Sequence, residues 1–312
     1  MRPARPLAEA LAEGALVLDG GLASRLEEQG SDLSGELWSA RLLTEDPGRI
    51  EAAHRAYVRA GARVLITASY QASYEAFARR GLTRTEAGRL FARSVRLARA
   101  AAEETADEVW VAASVGPYGA VLADGSEYRG RYGLTVRELE RFHRPRVEAL
   151  AAADPDVLAL ETVPDADEAE ALLRAVEGCG VPVWLSYTVS GTRTRAGQSL
   201  DTAFGLVRGL DQVIAAGVNC CEPPDTTAAV TRAARLTGKP VVAYPNSGEA
   251  WDARRRAWTG PVTYSAHRVA DWLGAGARLV GGCCRIGPGT ITDVAAAVSA
   301  YGPGAGGGAA RG

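Results

Sequence analysis

Of five cysteines in 312 residues, four fall in adjacent pairs: Cys220–Cys221 in "GVNCCE" and Cys283–Cys284 in "LVGGCCRIGP". Neighbouring side chains on a strand point to opposite faces. Two adjacent thiols can therefore serve one purpose only where the backbone leaves strand geometry, and the glycines before Cys283 supply that freedom. Three thiols converging from these pairs, Cys220, Cys283 and Cys284, are the right type and number for a zinc ion with an open fourth position. A three-thiolate centre suits the binding and activation of another thiol. Spacing alone leaves two other uses open: core packing and a redox disulfide of the vicinal pair. Cys179, in the helix-ending "EGCG", reads as structural, and Cys221 should point away from an ion that Cys220 faces.

Polar residues also collect where apolar runs end: Asp19, Thr67 and Ser69, Glu161 and Thr162, Asn219, and Asn246 with Glu249. Asp19 and Glu161 are candidate ligand-binding carboxylates. The alternative for each is a helix cap or an arginine partner. Other chemistries are short of residues. Lys239, in the turn-like "TGKP", is the only lysine a Schiff base could use. His54, His143 and His267 each sit in a helical pattern beside arginine and read as surface or helix-packing residues. That argues against a histidine triad or a multi-histidine metal site.

Eight short apolar runs must position these groups: Ala15–Gly21, Arg63–Tyr70, Glu108–Gly116, Val157–Val163, Pro182–Val189, Gln212–Asn219, Val241–Ser247 and Ala277–Cys284. They are near-continuously apolar, as strands buried on both faces are. Amphipathic helical segments separate them. One, "TRTEAGRLFARSVRLARAAAEE", has a capping-box start placed at Thr85. Another, "DADEAEALLRAVEG", has acids in its first turn and a glycine at its end. Eight strands alternating with helices over this length predict an α/β chain folded as a single-domain (β/α)₈ TIM-type barrel. A doubly wound open sheet is the rival, weakened by the lack of a GxGxxG after the first strand. In a barrel the strand-end residues share one mouth.

A chain that is 47% hydrophobic, with a net charge of −2, is globular and carries no nucleic-acid footprint. No stretch has the ~20 consecutive apolar residues of a membrane span, and no secretory signal is apparent. An odd cysteine count with adjacent pairs is unlike a secreted disulfide framework, so a cytoplasmic enzyme with reduced thiols is expected. Residues 1–12 read as an N-terminal segment, 13–301 as the barrel, and 302–312 as a Gly-rich disordered tail.

At "GVNC" and "GGCC" the sequence resembles the homocysteine S-methyltransferase family. The resemblance extends over roughly 13–300, through "DGGLASRLEEQG", "ELWSARLL", "ITASYQAS", "SVGPYGAVLADGSEYRG", "ALETVPDADEA", "YPNSGE" and "GGCCR". The long block Ser114–Gly130 looks like the branch that uses S-methylmethionine or S-adenosylmethionine rather than betaine. The resemblance is to the barrel alone, so the additional domains of folate- and cobalamin-dependent methionine synthases are not expected. The resemblance implies zinc held by Cys220, Cys283 and Cys284, with Asp19 and Glu161 near the homocysteine amino group and Thr67 lining the substrate. It also implies transfer of a methyl group from a sulfonium donor to the homocysteine thiol, giving methionine, with homocysteine and the methyl donor as small-molecule partners and neither nucleic acid nor membrane expected. Two departures stand out. "DGGLAS" replaces the common "DGAMGT", and Thr162 follows the glutamate where some relatives have a tyrosine that can fill the vacant metal position. Trp38, Tyr70 and Tyr118 are candidates for an aromatic wall facing the donor. The alternatives are a betaine- or selenol-related methyltransferase, or a non-enzymatic thiol-redox or zinc-holding protein.

Overall fold

The structure, a computed structural model, describes residues 2–33, 38–252 and 257–302. Among these, eight strands form one sheet: β1 (Leu16–Val17), β2 (Val64–Ile66), β3 (Trp110–Val115), β4 (Val157–Val163), β5 (Val183–Tyr187), β6 (Val213–Asn219), β7 (Val241–Tyr244) and β8 (Ala277–Val280). Their hydrogen-bonded order is β1-β8-β7-β6-β5-β4-β3-β2, with every pairing parallel. One parallel bridge, Leu18 to Val64, joins β1 to β2 and brings the ring almost to closure. The open-sheet alternative is therefore excluded, and the barrel stands.

Strand parity sets the layers inside. Leu18, Val64, Trp110, Ala112, Val157, Ala159, Trp184, Ala215, Val242, Tyr244 and Leu279 form one interior cluster. Their in-between neighbours, such as Leu158, Leu160, Leu185 and Val218, belong to the cluster under the helices. Continuing the same period of two along each strand brings Ser114, Glu161, Ser186 and Asn219 into the interior at the C-terminal end. The barrel is thus dry through its middle and polar at its top. Its lower end is filled by the helix Leu7–Glu13, whose Leu7, Ala10 and Leu11 join the interior cluster. The Trp110 indole N–H donates to the Arg5 carbonyl there, at 3.0 Å.

Several strands are shorter than their apolar runs. Asp19, Thr67, Cys220, Cys283 and Cys284 all lie just beyond strand ends rather than on them. The capping box of the helix Arg84–Ala102 is built by Thr83 with Glu86, not by Thr85, because the N3 acid must lie three residues after the cap. His54 and His143 are fully buried on helices, and His267 is exposed. His143 Nε2 meets Glu168 Oε1 at 2.9 Å, and neither residue is among those lining the cavity at the barrel mouth. Of the tail expected at 302–312, residues 303–312 lie outside the described residues. No helix among the described residues is long and apolar enough to cross a membrane.

Candidate metal and substrate site

Strand parity would turn Asn219 inward and Cys220 outward. The backbone reverses this at one residue: Cys220 has φ +49, in the left-handed region that costs a non-glycine residue about 1 kcal/mol or more. The twist is held on both sides. The Cys220 N–H donates to the Tyr244 carbonyl at 3.2 Å, and the Cys220 carbonyl accepts from the Thr188 hydroxyl at 2.9 Å. Cys221 then falls into the core under the helices, 3.8 Å from the Thr226 hydroxyl, and burial pushes its thiol up to about 12. The divergence expected of this pair is what the fold contains.

The second pair leaves β8 by a different route. Gly281 and Gly282 do not have positive φ, so conformational freedom is not why they are glycines. They are there for space. A Cβ on Gly281 would lie 2.6 Å from the Leu18 Cβ, and one on Gly282 would lie 2.2 Å from the Ile286 side chain. Each backbone amide of the turn has a fixed acceptor: Gly282 N–H on the Asp19 carbonyl at 3.1 Å, Cys283 N–H on the Pro245 carbonyl at 2.8 Å, and Cys284 N–H on Asn246 Oδ1 at 3.1 Å. As a result Cys220, Cys283 and Cys284 place their sulfur atoms within 4.8 Å of one another. Cys220 Sγ and Cys284 Sγ are 3.7 Å apart.

Three thiols at this distance cannot ionise independently. Hydrogen bonds from Cys220 and Cys283 hold the Cys284 thiol well below its ordinary range. The Cys283 thiol is held well above by its sulfur neighbours, Cys220 first, and then by burial. Three sulfur atoms this close are a donor set that would suit a thiophilic cation, whose binding favours the thiolate form.

The cluster borders a cavity of about 120 Å³. Thr67, Tyr70, Glu161 and Thr162 line it, together with Glu127 and Tyr128. The Thr67 hydroxyl is 2.8 Å from that of Ser69 and accepts from the Ser114 N–H at 3.1 Å. Glu161 accepts from the Ser114 hydroxyl on one oxygen and from the Tyr244 hydroxyl, at 2.9 Å, on the other. Burial outweighs these bonds and pushes the Glu161 carboxyl up to about 7. Asp19, one residue before the lining Gly20, is buried. It accepts from the Ile66 N–H at 2.9 Å on Oδ2, and Oδ1 has no hydrogen-bond partner among the described residues. Burial holds its carboxyl well above the carboxylate range, and Glu161 adds to the rise. Among the described residues, no lysine or arginine lines the cavity.

Asn219 ties the mouth together. Its Oδ1 accepts from the Thr162 N–H at 2.7 Å and the Ser186 hydroxyl at 2.8 Å, while Nδ2 donates to the Thr162 hydroxyl at 2.7 Å. Thr162 is itself left-handed, at φ +58. Glu249 is turned elsewhere: it pairs with Arg285 at 3.2 Å and holds the outside of the cysteine turn. Among the aromatic candidates, Tyr70 lines the cavity but Tyr118 does not. The Tyr118 ring packs between Tyr132 and Phe142, with centroids at 5.2 and 4.9 Å. The Trp38 side chain lies outside the described part of the structure. Sequence reasoning placed Asn246 at a strand end without a role, and missed Tyr244 and Ser114 as supports. It also missed Tyr128, whose hydroxyl is 3.1 Å from Cys220 Sγ. The only signal for Tyr128 was its place in the block Ser114–Gly130, which fixes no contact with a cysteine 92 residues on.

The homocysteine S-methyltransferase family profile matches residues 16–298. The homocysteine S-methyltransferase of Escherichia coli K12 is 45% identical over 293 residues, covering 90% of this chain and 94% of that protein. The Bacillus subtilis homocysteine S-methyltransferase YbgG is 40% identical over 298 residues, covering 90% and 93%. The metallated form of the homocysteine methyltransferase MmuM from Escherichia coli superposes with a TM-score of 0.85 at 42% identity, covering 94% of this chain and 99% of that one. With the fold, the cysteine cluster and these likenesses in agreement along nearly its whole length, the chain belongs to the homocysteine S-methyltransferase family and is a methyltransferase.

Proposed function

We propose that the chain transfers a methyl group from a sulfonium donor, S-methylmethionine or S-adenosylmethionine, to the thiol of homocysteine, using Zn²⁺ held by Cys220, Cys283 and Cys284. The observation that carries this reading is the convergence of three thiols, from the ends of two distant strands, beside a cavity whose ionisable lining is acidic. The donor set is all sulfur, which favours a thiophilic ion such as zinc over magnesium or calcium. When bound, zinc supplies Lewis acidity that lowers the pKa of an incoming thiol from about 8.5 and keeps it nucleophilic at neutral pH.

The rest is done by side chains of the barrel. Asp19 and Glu161 take the ammonium group of homocysteine, and an ammonium ion compensates the burial that raises both carboxyls. Thr67 lines the acceptor. The protein orients the acceptor sulfur towards the methyl carbon. A sulfur–carbon bond forms as the donor's sulfonium–methyl bond breaks, and the bonding pair stays on the donor sulfur, leaving a neutral thioether. No general base is needed at that step, which fits a site without histidine. Among the described residues the lining holds acidic but no basic side chains, which favours a donor with net positive charge over betaine, which is neutral overall. Vicinal thiols that must stay reduced to bind metal suit a reducing cytoplasm.

The test offers homocysteine with S-methylmethionine, S-adenosylmethionine or betaine, each alone, and measures methionine together with metal content. Methionine from a sulfonium donor and about one zinc per chain are expected. Methionine from betaine alone would sink the donor reading. A reversible disulfide without methyl transfer would establish the redox alternative instead.

A further inference from the structure

Three carboxyl groups gather at the cavity, and the chemistry above uses two. Glu127 has no task in it, although it lines the cavity, is only 4% exposed, and leaves Oε2 without a hydrogen-bond partner among the described residues. A buried carboxylate oxygen without a donor is costly. Among the described residues, no lysine or arginine lines the cavity to supply one. Asp19 leaves Oδ1 open as well, but in the chemistry above that carboxyl already takes the acceptor's ammonium; the open valence of Glu127 has no such claimant and points to a donor carried in by a second ligand.

The turn Ser126–Tyr128 is built to present this side chain. Gly119 lies flat against it, and a Cβ there would come within 2.4 Å of the Glu127 nitrogen. The Ser126 N–H donates to Asp124 Oδ1 at 2.9 Å, and the Gly130 N–H returns to the Ser126 carbonyl at 3.0 Å. Just beyond, the Arg131 N–H donates to Asp165 Oδ2 at 3.0 Å. The next side chain, Tyr128, reaches Cys220 Sγ. Glu127 is therefore fixed one residue from the group that touches the thiol cluster, on the βα loop of β3.

We infer that Glu127 anchors the α-ammonium group of the methyl donor, so that this site recognises its donor as a sulfonium amino acid. The inference rests on the sulfonium-donor reading above. Two arguments choose the ammonium over the sulfonium as its partner. An ammonium carries N–H donors for Oε2, whereas a sulfonium has none. A carboxylate against the sulfonium would also stabilise a charge that disappears on transfer, favouring the ground state over the transition state. The ammonium keeps its charge throughout, so holding it strengthens binding without opposing the reaction. Betaine, whose quaternary nitrogen has no N–H, gains nothing from this contact.

Calorimetric titration of the zinc-loaded protein with S-methylmethionine and with S-adenosylmethionine, compared with Glu127→Gln, is the test. The variant is expected to bind both donors roughly 10- to 100-fold more weakly, the span of a lost charge-assisted hydrogen bond. In turnover the donor KM should rise while the homocysteine KM and kcat move little. Glu127→Asp, which keeps the charge but shortens the reach, should fall between the two. The discriminating probe is dimethylsulfoniopropionate, a sulfonium without an amino group, against which the loss should largely disappear. An equal loss with that probe, a rise in homocysteine KM instead, unchanged donor affinity, or a wild type that binds neither donor would overturn the proposal. If the wild type binds S-methylmethionine and Glu127→Gln does not, yet no methionine forms, the anchor stands and the transfer reading falls.

Discussion

Replacing Glu161 by glutamine should make the metal-free protein more stable at pH 8.5 while destroying its grip on the amino-acid acceptor. The carboxyl is buried and raised from the ordinary 4.5 to about 7. Its protonated form suits the folded interior, so its contribution is fully present below 4.5 and is lost as pH rises through 7. At about 1.4 kcal/mol per pH unit, ionising Glu161 in the fold costs about 3 kcal/mol by pH 8.5. Glutamine is uncharged, can donate to the Ser114 hydroxyl and can accept from the Tyr244 hydroxyl, so both partners are kept. It also removes the repulsion that helps to raise Asp19. Urea unfolding at pH 5 and pH 8.5 measures the effect. The variant should match the wild type to within about 1 kcal/mol at pH 5 and exceed it by about 2–3 kcal/mol at pH 8.5. Homocysteine KM should rise by roughly 100-fold or more, because a buried ammonium loses its anionic partner. A gain of equal size at both pH values, or a loss at pH 8.5, would refute the claim that desolvation of this carboxylate is an energetic burden kept for binding. The trade of stability for a charged site is the general pattern at functional centres.

Cys220→Ala, Cys283→Ala and Cys284→Ala should each abolish stoichiometric zinc in elemental analysis. Cys221→Ala should keep the zinc and cost about 1 kcal/mol in urea unfolding, through the small cavity beside Thr226. Asn246→Ala, which frees the Cys284 N–H, should weaken zinc about 10- to 100-fold in competition with a chromogenic chelator. Gly282→Ala should weaken zinc and lower Tm, since its methyl group meets Ile286 at 2.2 Å; Gly289→Ala, in open space, should do neither.

The sequence alone pointed to the barrel through its alternation of apolar runs and helical segments, and singled out the two cysteine pairs and the strand-end Glu161 as candidates, while spacing left the use of the thiols open. A residue on β4 two positions beyond Ala159 must share its face, whatever the rest of the chain does. Its family motifs were equally legible because they are contiguous. Only tertiary structure decided how Cys220 overrides strand parity, since its positive φ is held by Tyr244 on the neighbouring β7 and by Thr188 just beyond β5. The same holds for the glycines of the second pair, whose purpose is room beside Leu18 and Ile286 rather than freedom of φ. Tyr118 and Tyr128 show the limit most plainly. They lie ten residues apart in one loop, and the tyrosine expected at the site packs against Phe142 while the other reaches the cysteines. A loop's path is fixed by the distant partners that satisfy its backbone and fill its gaps, and no local pattern of residues encodes those.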